Sequence, residues 1–544
     1  MGTPPQILAI DLGTSGMKAA LVAADGTVTG WAEQAVPLRV LPGGGAEQDP
    51  VEWWKALAVV VADLGRSHPE HLREVTAVCA STQGEGTIAV DAAGEPLTAC
   101  ISWLDMRGAA NLRRQFGGFV SYDGMSVRRI ARWLRLTGGM PSLAGKDPAA
   151  HMLLVRDAMP EVYERTATFL NVLDWINLKL TGRTVATVDS ILSSWLTDNR
   201  RASDIRYSPA LVADCGIDPD KLPPIVACTE VIGTLSPSAA AHLGLPESVR
   251  VVAGAIDNTA AAVGAGTTGD NQPHLYVGTS SWIAAHVPRK KTDIFSQIAS
   301  LPCAVPDRYL MTALQATAGA NLTWLRDKIV EYDDPLIGAG HLLSRDEGTI
   351  FDAFDQIIPT VPPGSHGVVY TPWLYGERAP VDDPNLRAGF LNISLGTNRS
   401  DLLRAVFEGV ALNTRWLVGA VDRFLGAPVT SMVITGGGAR SDSWCQIFAD
   451  VLGIEIRRDA RPVAVNARGA GWIGAVGAGM ISFAEIPDLI RNDVVFEPTA
   501  AHRATYDVRR TTNCSTCTRC CTSVWPRSTN DSTTDRRDTR TVWR

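Results

Sequence analysis

The sequence predicts an α/β protein of two domains built on related plans and facing a shared cleft. Three observations predict it. The length, 544 residues, exceeds the size at which a single hydrophobic core stops growing. An apolar strand, a Gly-Thr-Ser turn and a second strand occur twice, at Gly13, Thr14 and Ser15 and again at Gly278, Thr279 and Ser280. Segments of helical periodicity lie between the two copies.

The first copy opens the chain. Residues 7–11 form an apolar strand ending at Asp11, the glycines turn it, and 17–22 run back; a second hairpin follows through Asp25 and Gly26. No GxxxxGK[ST] is present, so this is not the strand, loop and helix of a Walker site. Helical spacing then predicts helices over 148–159 and 160–168, with another starting near Val172. An apolar strand at 251–256 ends in Asp257 and leads into a helix of small residues. The second copy runs from His274 to Val277 and from Trp282 to Ala285. It sets a boundary near residue 267, giving an N-terminal domain over 6–267, a C-terminal domain over 268–485 and an extension over 486–544. Farther on, 401–424 carries apolar residues at helical intervals and reads as one long helix, and Ile434 to Ala439 is a strand running through three glycines into a helix.

Composition narrows the class. Apolar residues make up 45% and charged residues 20%, as in ordinary globular enzymes, and the net charge of -7 argues against a general nucleic-acid partner. No basic leader and no apolar run of roughly 18 residues marks a membrane segment, so a cytoplasmic location is expected. Six of the ten cysteines stand singly among apolar neighbours, as reduced thiols do. The other four, Cys514, Cys517, Cys520 and Cys521, fall in a stretch over 511–544 without Leu, Ile, Ala, Gly, Phe or Met. Such a segment cannot bury much surface and is expected to be disordered or foreign, as after a change of reading frame. A zinc site there lacks a second ligand pair.

Phosphoryl transfer needs amide donors around the phosphates, a divalent cation, and a base for the attacking hydroxyl. Gly13, Thr14 and Ser15 can wrap phosphate oxygens, because glycine permits close approach and the hydroxyls add donors. Asp11, at the strand end, can hold magnesium directly or through water. Asp257 is either the base facing a cleft or a helix cap, since Asp is favoured at both places. Each turn alone is an ordinary hairpin. Together, the two turns and the three glycines beginning at Gly436 make three nucleotide-compatible turns in one chain.

These residues resemble the FGGY carbohydrate kinases, most closely the pentulose-kinase branch that includes xylulokinase. The similarity runs from about Ile7 to Gly479. Its pieces are the segment from Asp11 to Ser15, Lys146-Asp147-Pro148 through Gly182, Gly254 to Asn258, the second Gly-Thr-Ser, Tyr375-Gly376-Glu377-Arg378, and Gly436 through Gly453. The resemblance implies two actin-like, ribonuclease-H-like domains, with ATP and sugar meeting in the interdomain cleft. It implies that Asp257 is the catalytic base, beside Asn258 on the sugar, and that Gly13, Thr14 and Ser15 grip the γ-phosphate. Gly278, Thr279 and Ser280 would form the second phosphate loop, Gly319 would lie near the nucleotide, and Gly437, Gly438, Ala439 and Asp442 would lie along the adenosine.

Sugar recognition is where the chain departs from the family. The loop reads Gln83-Gly84-Glu85, whereas xylulokinases carry Met-His and glycerol kinases Arg-Glu at the positions of Gly84 and Glu85. Gln83, Glu85, Trp103, Asp105 and Arg107 would be the substrate-side residues. The expected activity is ATP- and Mg2+-dependent phosphorylation of a pentulose such as D-xylulose. Another ketose or polyol is the alternative, as is an actin- or chaperone-type ATP-binding protein without a sugar pocket. The expected partner is the small sugar alone, and a homodimer is one assembly open to the chain.

Overall fold

The computed structural model describes residues 2–122, 124–330 and 347–512. The cysteine-rich segment after Thr512 lies outside the described residues, and with it the expectation of a disordered terminus and the zinc alternative. The six cysteines before it are free and buried.

Six strands form the first sheet. They are β1 (Gln6–Leu12), β2 (Gly16–Ala23), β3 (Val28–Ala35), β4 (Val75–Thr82), β5 (Val231–Thr234) and β6 (Arg250–Ile256), in the order β5-β6-β4-β1-β2-β3. The expected opening hairpins are β1 to β2 and β2 to β3, both antiparallel. The central strands β1, β4 and β6 run parallel, with Asp11 beside Ser81 and Ile256 beside Thr82. Gly13, Gln83 and Asp257 therefore leave the sheet at one edge, the carboxyl ends of parallel strands, where ligands of α/β sheets collect.

The second sheet has eight strands: β7 (His274–Val277), β8 (Ser281–Val287), β9 (Thr292–Asp293), β10 (Ile298–Pro302), β11 (Tyr309–Gln315), β12 (Ser431–Thr435), β13 (Glu455–Asp459) and β14 (Asn492–Phe496). Their order is β9-β10-β11-β8-β7-β12-β13-β14. Strands β7 and β8 are the second hairpin, and β7 runs parallel to β12 with Tyr276 beside Thr435. The turns at Gly278 and Gly436 thus emerge side by side.

Helices cover the sheets. In α1 (Pro50–Ser67), Asp49 caps the first turn through the Val51 amide, and Trp53, Leu57, Val60, Val61 and Leu64 form the buried stripe. In α2 (Val172–Thr181) an Asn171–Asp174 capping box starts the helix and Gly182, left-handed at φ 74°, ends it. After β6 comes α3 (Asp257–Gly264). The long helix expected over 401–424 is α4 (Arg399–Leu425), capped by Asn398 and stopped by Gly426. Two more, α5 (Asp442–Leu452) and α6 (Val465–Gly477), complete the frame. The expected helices over 148–159 and 160–168 are Pro148–Ala158 and Pro160–Arg165; the second is shorter because Thr168–Leu170 pairs as a strand with Ile88–Val90.

Helix α6 joins the two halves. It crosses onto the first sheet, where a Cβ at Gly471 would meet Val22 at 2.6 Å and one at Gly474 would meet Ile7 at 2.8 Å. Glycines also let it touch α3 backbone to backbone, since a Cβ at Gly469 would lie 1.8 Å from the Ala260 carbonyl oxygen. One buried cluster accordingly includes Ile7, Cys79 and Val252 of the first sheet, Ala260 and Val263 of α3, Trp282 and Ala284 of the second sheet, and Trp472 and Ile473 of α6.

Candidate active site

The first Gly-Thr-Ser turn is closed by a hydrogen bond from the Gly13 amide to the Gly16 carbonyl, 3.0 Å. The Thr14 hydroxyl donates to Gln83 Oε1 at 2.9 Å and accepts from Trp103 Nε1 at 3.0 Å. Gln83 Nε2 in turn donates to Gln48 Oε1 at 2.6 Å, and Gln48 Nε2 returns to the Thr14 carbonyl at 2.9 Å. The loop is thus held from behind. With the Thr14 proton committed to Gln83, the turn's amides and the exposed Ser15 are what face a ligand.

Asp11 is 3% exposed, opposite Lys18 in the hairpin register, with Lys18 Nζ 3.5 Å from its Oδ2. Burial raises its proton affinity, against the pull of Lys18 and a hydrogen bond from Asn466 at the start of α6. Asp257 is the first residue of α3, and the cap position falls on Ile256. Its carboxylate accepts the Asn258 amide at 2.7 Å. Burial first, and the charge of Asp11 second, push the Asp257 carboxyl up to about 7. The Tyr276 phenol is pushed up by burial, then by Asp11 and Asp257. Tyr276 stacks on Trp282 with ring centres 3.9 Å apart, and a Cβ at Gly278 would meet its ring at 2.7 Å. Tyr276, packed against the second turn, therefore lies within electrostatic reach of Asp11 and Asp257.

The second turn is built for close approach. The Gly278 amide bonds the Ser280 carbonyl at 2.9 Å, and the Ala318 amide bonds the Thr279 carbonyl at 2.9 Å. Thr279 is exposed. In the neighbouring turn Gly436 (φ 89°) presses on Val277, Gly438 packs against Val277 and Trp444, and Ala439 is buried. Gly437 has open space where a side chain would go. Asp442 begins α5 with its carboxylate exposed and paired to Arg458.

Among the residues expected to face the substrate, Glu85 holds a left-handed backbone, φ 63°, unusual for a residue with a Cβ. Burial pushes its carboxyl up to about 7, aided by Asp147 and Asp257 and opposed by Arg378 and Lys146. Asp147 accepts Trp195 Nε1 at 2.8 Å and the Ser142 amide at 2.5 Å. Among the described residues the Lys146 ammonium and the Arg378 guanidinium make no hydrogen bond or ion pair, and both lie within electrostatic reach of Glu85. Arg378 arrives from the other domain on a loop anchored by Glu377, which accepts the Ala316 and Arg378 amides at 2.9 and 2.8 Å and Asn413 Nδ2 at 2.5 Å. Of the expected substrate residues, Asp105 is fully buried, its oxygens taken by the Ala46 amide at 2.9 Å and by the Arg107 amide at 2.8 Å and side chain. Arg107 also pairs with Glu47 at 2.5 Å. This pair braces the loop under Trp103. Sequence reasoning did not single out Gln48, Lys18, Tyr276 or Asn466, and treated Lys146 and Arg378 only as parts of matching segments; their proximity comes from the fold.

Magnesium takes one or two carboxylates and completes its shell with phosphate oxygens and water. Asp11, with Asp257 near and only Lys18 and Asn466 to offset its charge, suits that donor set. Among the described residues no group of three or more His, Cys, Asp or Glu forms an all-protein cage.

A frame of two actin-like α/β domains, each sheet carrying a glycine-rich turn at a strand end and the first also Asp11 and Asp257, is that of the sugar-kinase class. Residues 6–264 match the FGGY family of carbohydrate kinases, N-terminal domain, and residues 275–480 match its C-terminal domain. The chain belongs to the FGGY family of carbohydrate kinases. It is 27% identical to the xylulose kinase of Bacillus subtilis over 506 residues, 92% of this chain and 94% of that protein. It is 26% identical to the gluconokinase of the same organism over 493 residues, 89% and 90% of the two chains. The crystal structure of xylulose kinase from Rhodospirillum rubrum, 27% identical, superposes with a TM-score of 0.78 over 94% of this chain and 98% of that one. Among the described residues no helix is long and apolar enough to cross a membrane.

Proposed function

We propose that the protein transfers the γ-phosphoryl group of ATP to a hydroxyl of a small ketose, D-xylulose being the substrate its relatives point to. The observation that supports this reading is the buried Asp257 carboxyl at a strand end, pushed up to about 7 by burial and by the charge of Asp11. A base poised near the working pH is what proton removal from an alcohol requires. The amides of Thr14 and Ser15 and of Thr279 and Ser280 hold the phosphate oxygens, Gly13 and Gly278 closing the two turns, Gly437 gives the adenosine a bare backbone surface, and Asp257 takes the hydroxyl proton as the oxygen attacks. Asp11 would hold magnesium, which when bound would supply charge neutralisation for the transferred group. Closure about α3 and α6 excludes the water that would compete for it. A cytoplasmic location, where ATP is made available to such enzymes, belongs to the same reading.

Glu85 accepts hydrogen bonds from the sugar hydroxyls, with Lys146 and Arg378 completing the pocket. These two cations favour a second reading, a sugar acid such as gluconate, because each is free to pair with a carboxylate. An ADP-release assay over pentuloses, hexuloses, polyols and aldonates separates the two. Turnover with D-xylulose, abolished in Asp257→Ala with ATP binding retained, is the result expected. Turnover surviving in that variant within about tenfold, under about 1.4 kcal/mol of barrier, rejects the base assignment.

A further inference from the structure

Asp189 is fully buried and has no part in the chemistry assigned above, yet it closes the hydrogen-bond ladder that aims Asp257. Strand β5 pairs with β6 only as far as Val252. Beyond it the rungs come from loop carbonyls, with the Ala253 amide donating to Glu230 and the Gly254 amide to Cys228, both at 2.9 Å. The register shifts between Val252 and Ala255. Gly254 makes that bend at φ 79°, where a Cβ would lie 2.1 Å from the Ala80 carbonyl oxygen. The bent strand end needs an anchor of its own, and it is a side chain: the Ile256 amide donates to Asp189 Oδ2 at 3.1 Å.

The same carboxylate accepts the Thr187 hydroxyl at 2.7 Å, the Cys228 thiol at 3.5 Å and the hydroxyl of Thr259 in α3. It therefore grips the residue just before Asp257 and the one two positions after it. Behind it, Thr187 and Ser190 exchange bonds at 2.9 and 3.0 Å, and Ser190 Oγ donates to Asp174 Oδ1 of α2 at 2.7 Å. A rigid, buried polar chain thus runs from α2 to the base. All of Asp189's partners are donors, so a group with acceptors only is required there.

We propose that Asp189 is a positioning residue that fixes the backbone on both sides of Asp257 and so holds the base in its proton-accepting geometry. The proposal rests on Asp257 being that base. Asp189→Ala removes every bond. Asp189→Asn keeps an oxygen for the Ile256 amide but sets an NH2 against the other donors. A misplacement of about 1 Å costs about 100-fold in turnover, so kcat should fall about that far in Asp189→Ala and by a smaller factor in Asp189→Asn. KM for sugar and ATP should stay within about twofold in both, because the binding turns are untouched.

The full chain is assayed with D-xylulose and ATP, melting curves establishing folding and Asp257→Ala run in parallel. A folded Asp189→Ala with kcat within about threefold of the parent, or with KM values rising as far as kcat falls, overturns the proposal. If Asp189→Ala does not fold, Asp189→Asn decides alone: a lower kcat at constant KM supports it and an unchanged kcat overturns it. An active Asp257→Ala overturns the base assignment itself, and this proposal with it. An inactive Asp257→Ala beside an undisturbed Asp189→Ala overturns only the positioning role.

Discussion

The amide of Gly319 donates to the carbonyl of Gly278 over 2.8 Å, so the helix beginning at Gly319 starts directly on the second Gly-Thr-Ser turn. A Cβ at position 319 would lie 2.6 Å from that carbonyl oxygen. Gly319→Ala must push the turn aside at a cost of about 1–3 kcal/mol. The expected outcome is a KM for ATP raised about tenfold or more with sugar binding unchanged, measured by initial rates and calorimetry.

Helices α3 and α6 touch through glycine at two places. A Cβ at Gly264 would lie 1.9 Å from the Val465 carbonyl oxygen, and one at Gly469 would lie 1.8 Å from that of Ala260. Backbone cannot yield as a side chain can. Gly469→Ala is expected to destabilise the fold by about 1–3 kcal/mol or more, read as a lower denaturant midpoint.

Proton acceptance requires ionised Asp257. Burial, with the charge of Asp11 added, keeps its carboxyl protonated up to about 7. Below that pH the inactive acid dominates, so kcat/KM is expected to rise about tenfold per pH unit up to about 7 and to level off above it. Lys18 acts in the opposite direction on the same carboxyl. Lys18→Met should therefore move the limb to higher pH.

Glu85 sits at a left-handed backbone position, φ 63°, and is the residue proposed to accept hydrogen bonds from the sugar. Removing a charged hydrogen-bond partner costs about 1.5–3 kcal/mol. Glu85→Ala is expected to raise the KM for sugar about 10- to 150-fold while KM for ATP holds. Arg378→Ala and Lys146→Ala should weaken an aldonate far more than a neutral ketose, if the second reading of the pocket applies.

Local signals in the sequence were enough for the elements on whose ends the candidate residues lie, while the base role of Asp257 came from the family resemblance. The hairpin of β1 and β2 follows from alternation and glycine. Helix α4 follows from apolar spacing, and Asp257 from an acid closing an apolar run. What stayed hidden depends on distant pairing. Gln48 meets Gln83 across 35 positions, and Ile256 meets Asp189 across 67. No spacing rule encodes such contacts. Asp105 shows the converse: its type and place suggest a sugar contact, but folding consumes both of its oxygens on Ala46 and Arg107. The crossing of α6 onto the first sheet was equally silent, because small residues at 469, 471 and 474 read as helix-weakening until their neighbours are known.

The most direct measurement is a crystal structure with D-xylulose and a non-hydrolysable ATP analogue. The terminal phosphate should lie between the turn at Gly13 to Ser15 and the turn at Gly278 to Ser280, with one sugar hydroxyl about 3 Å from the Asp257 carboxylate. A phosphate bound away from either turn, or a sugar whose hydroxyls all miss Asp257, would contradict the account.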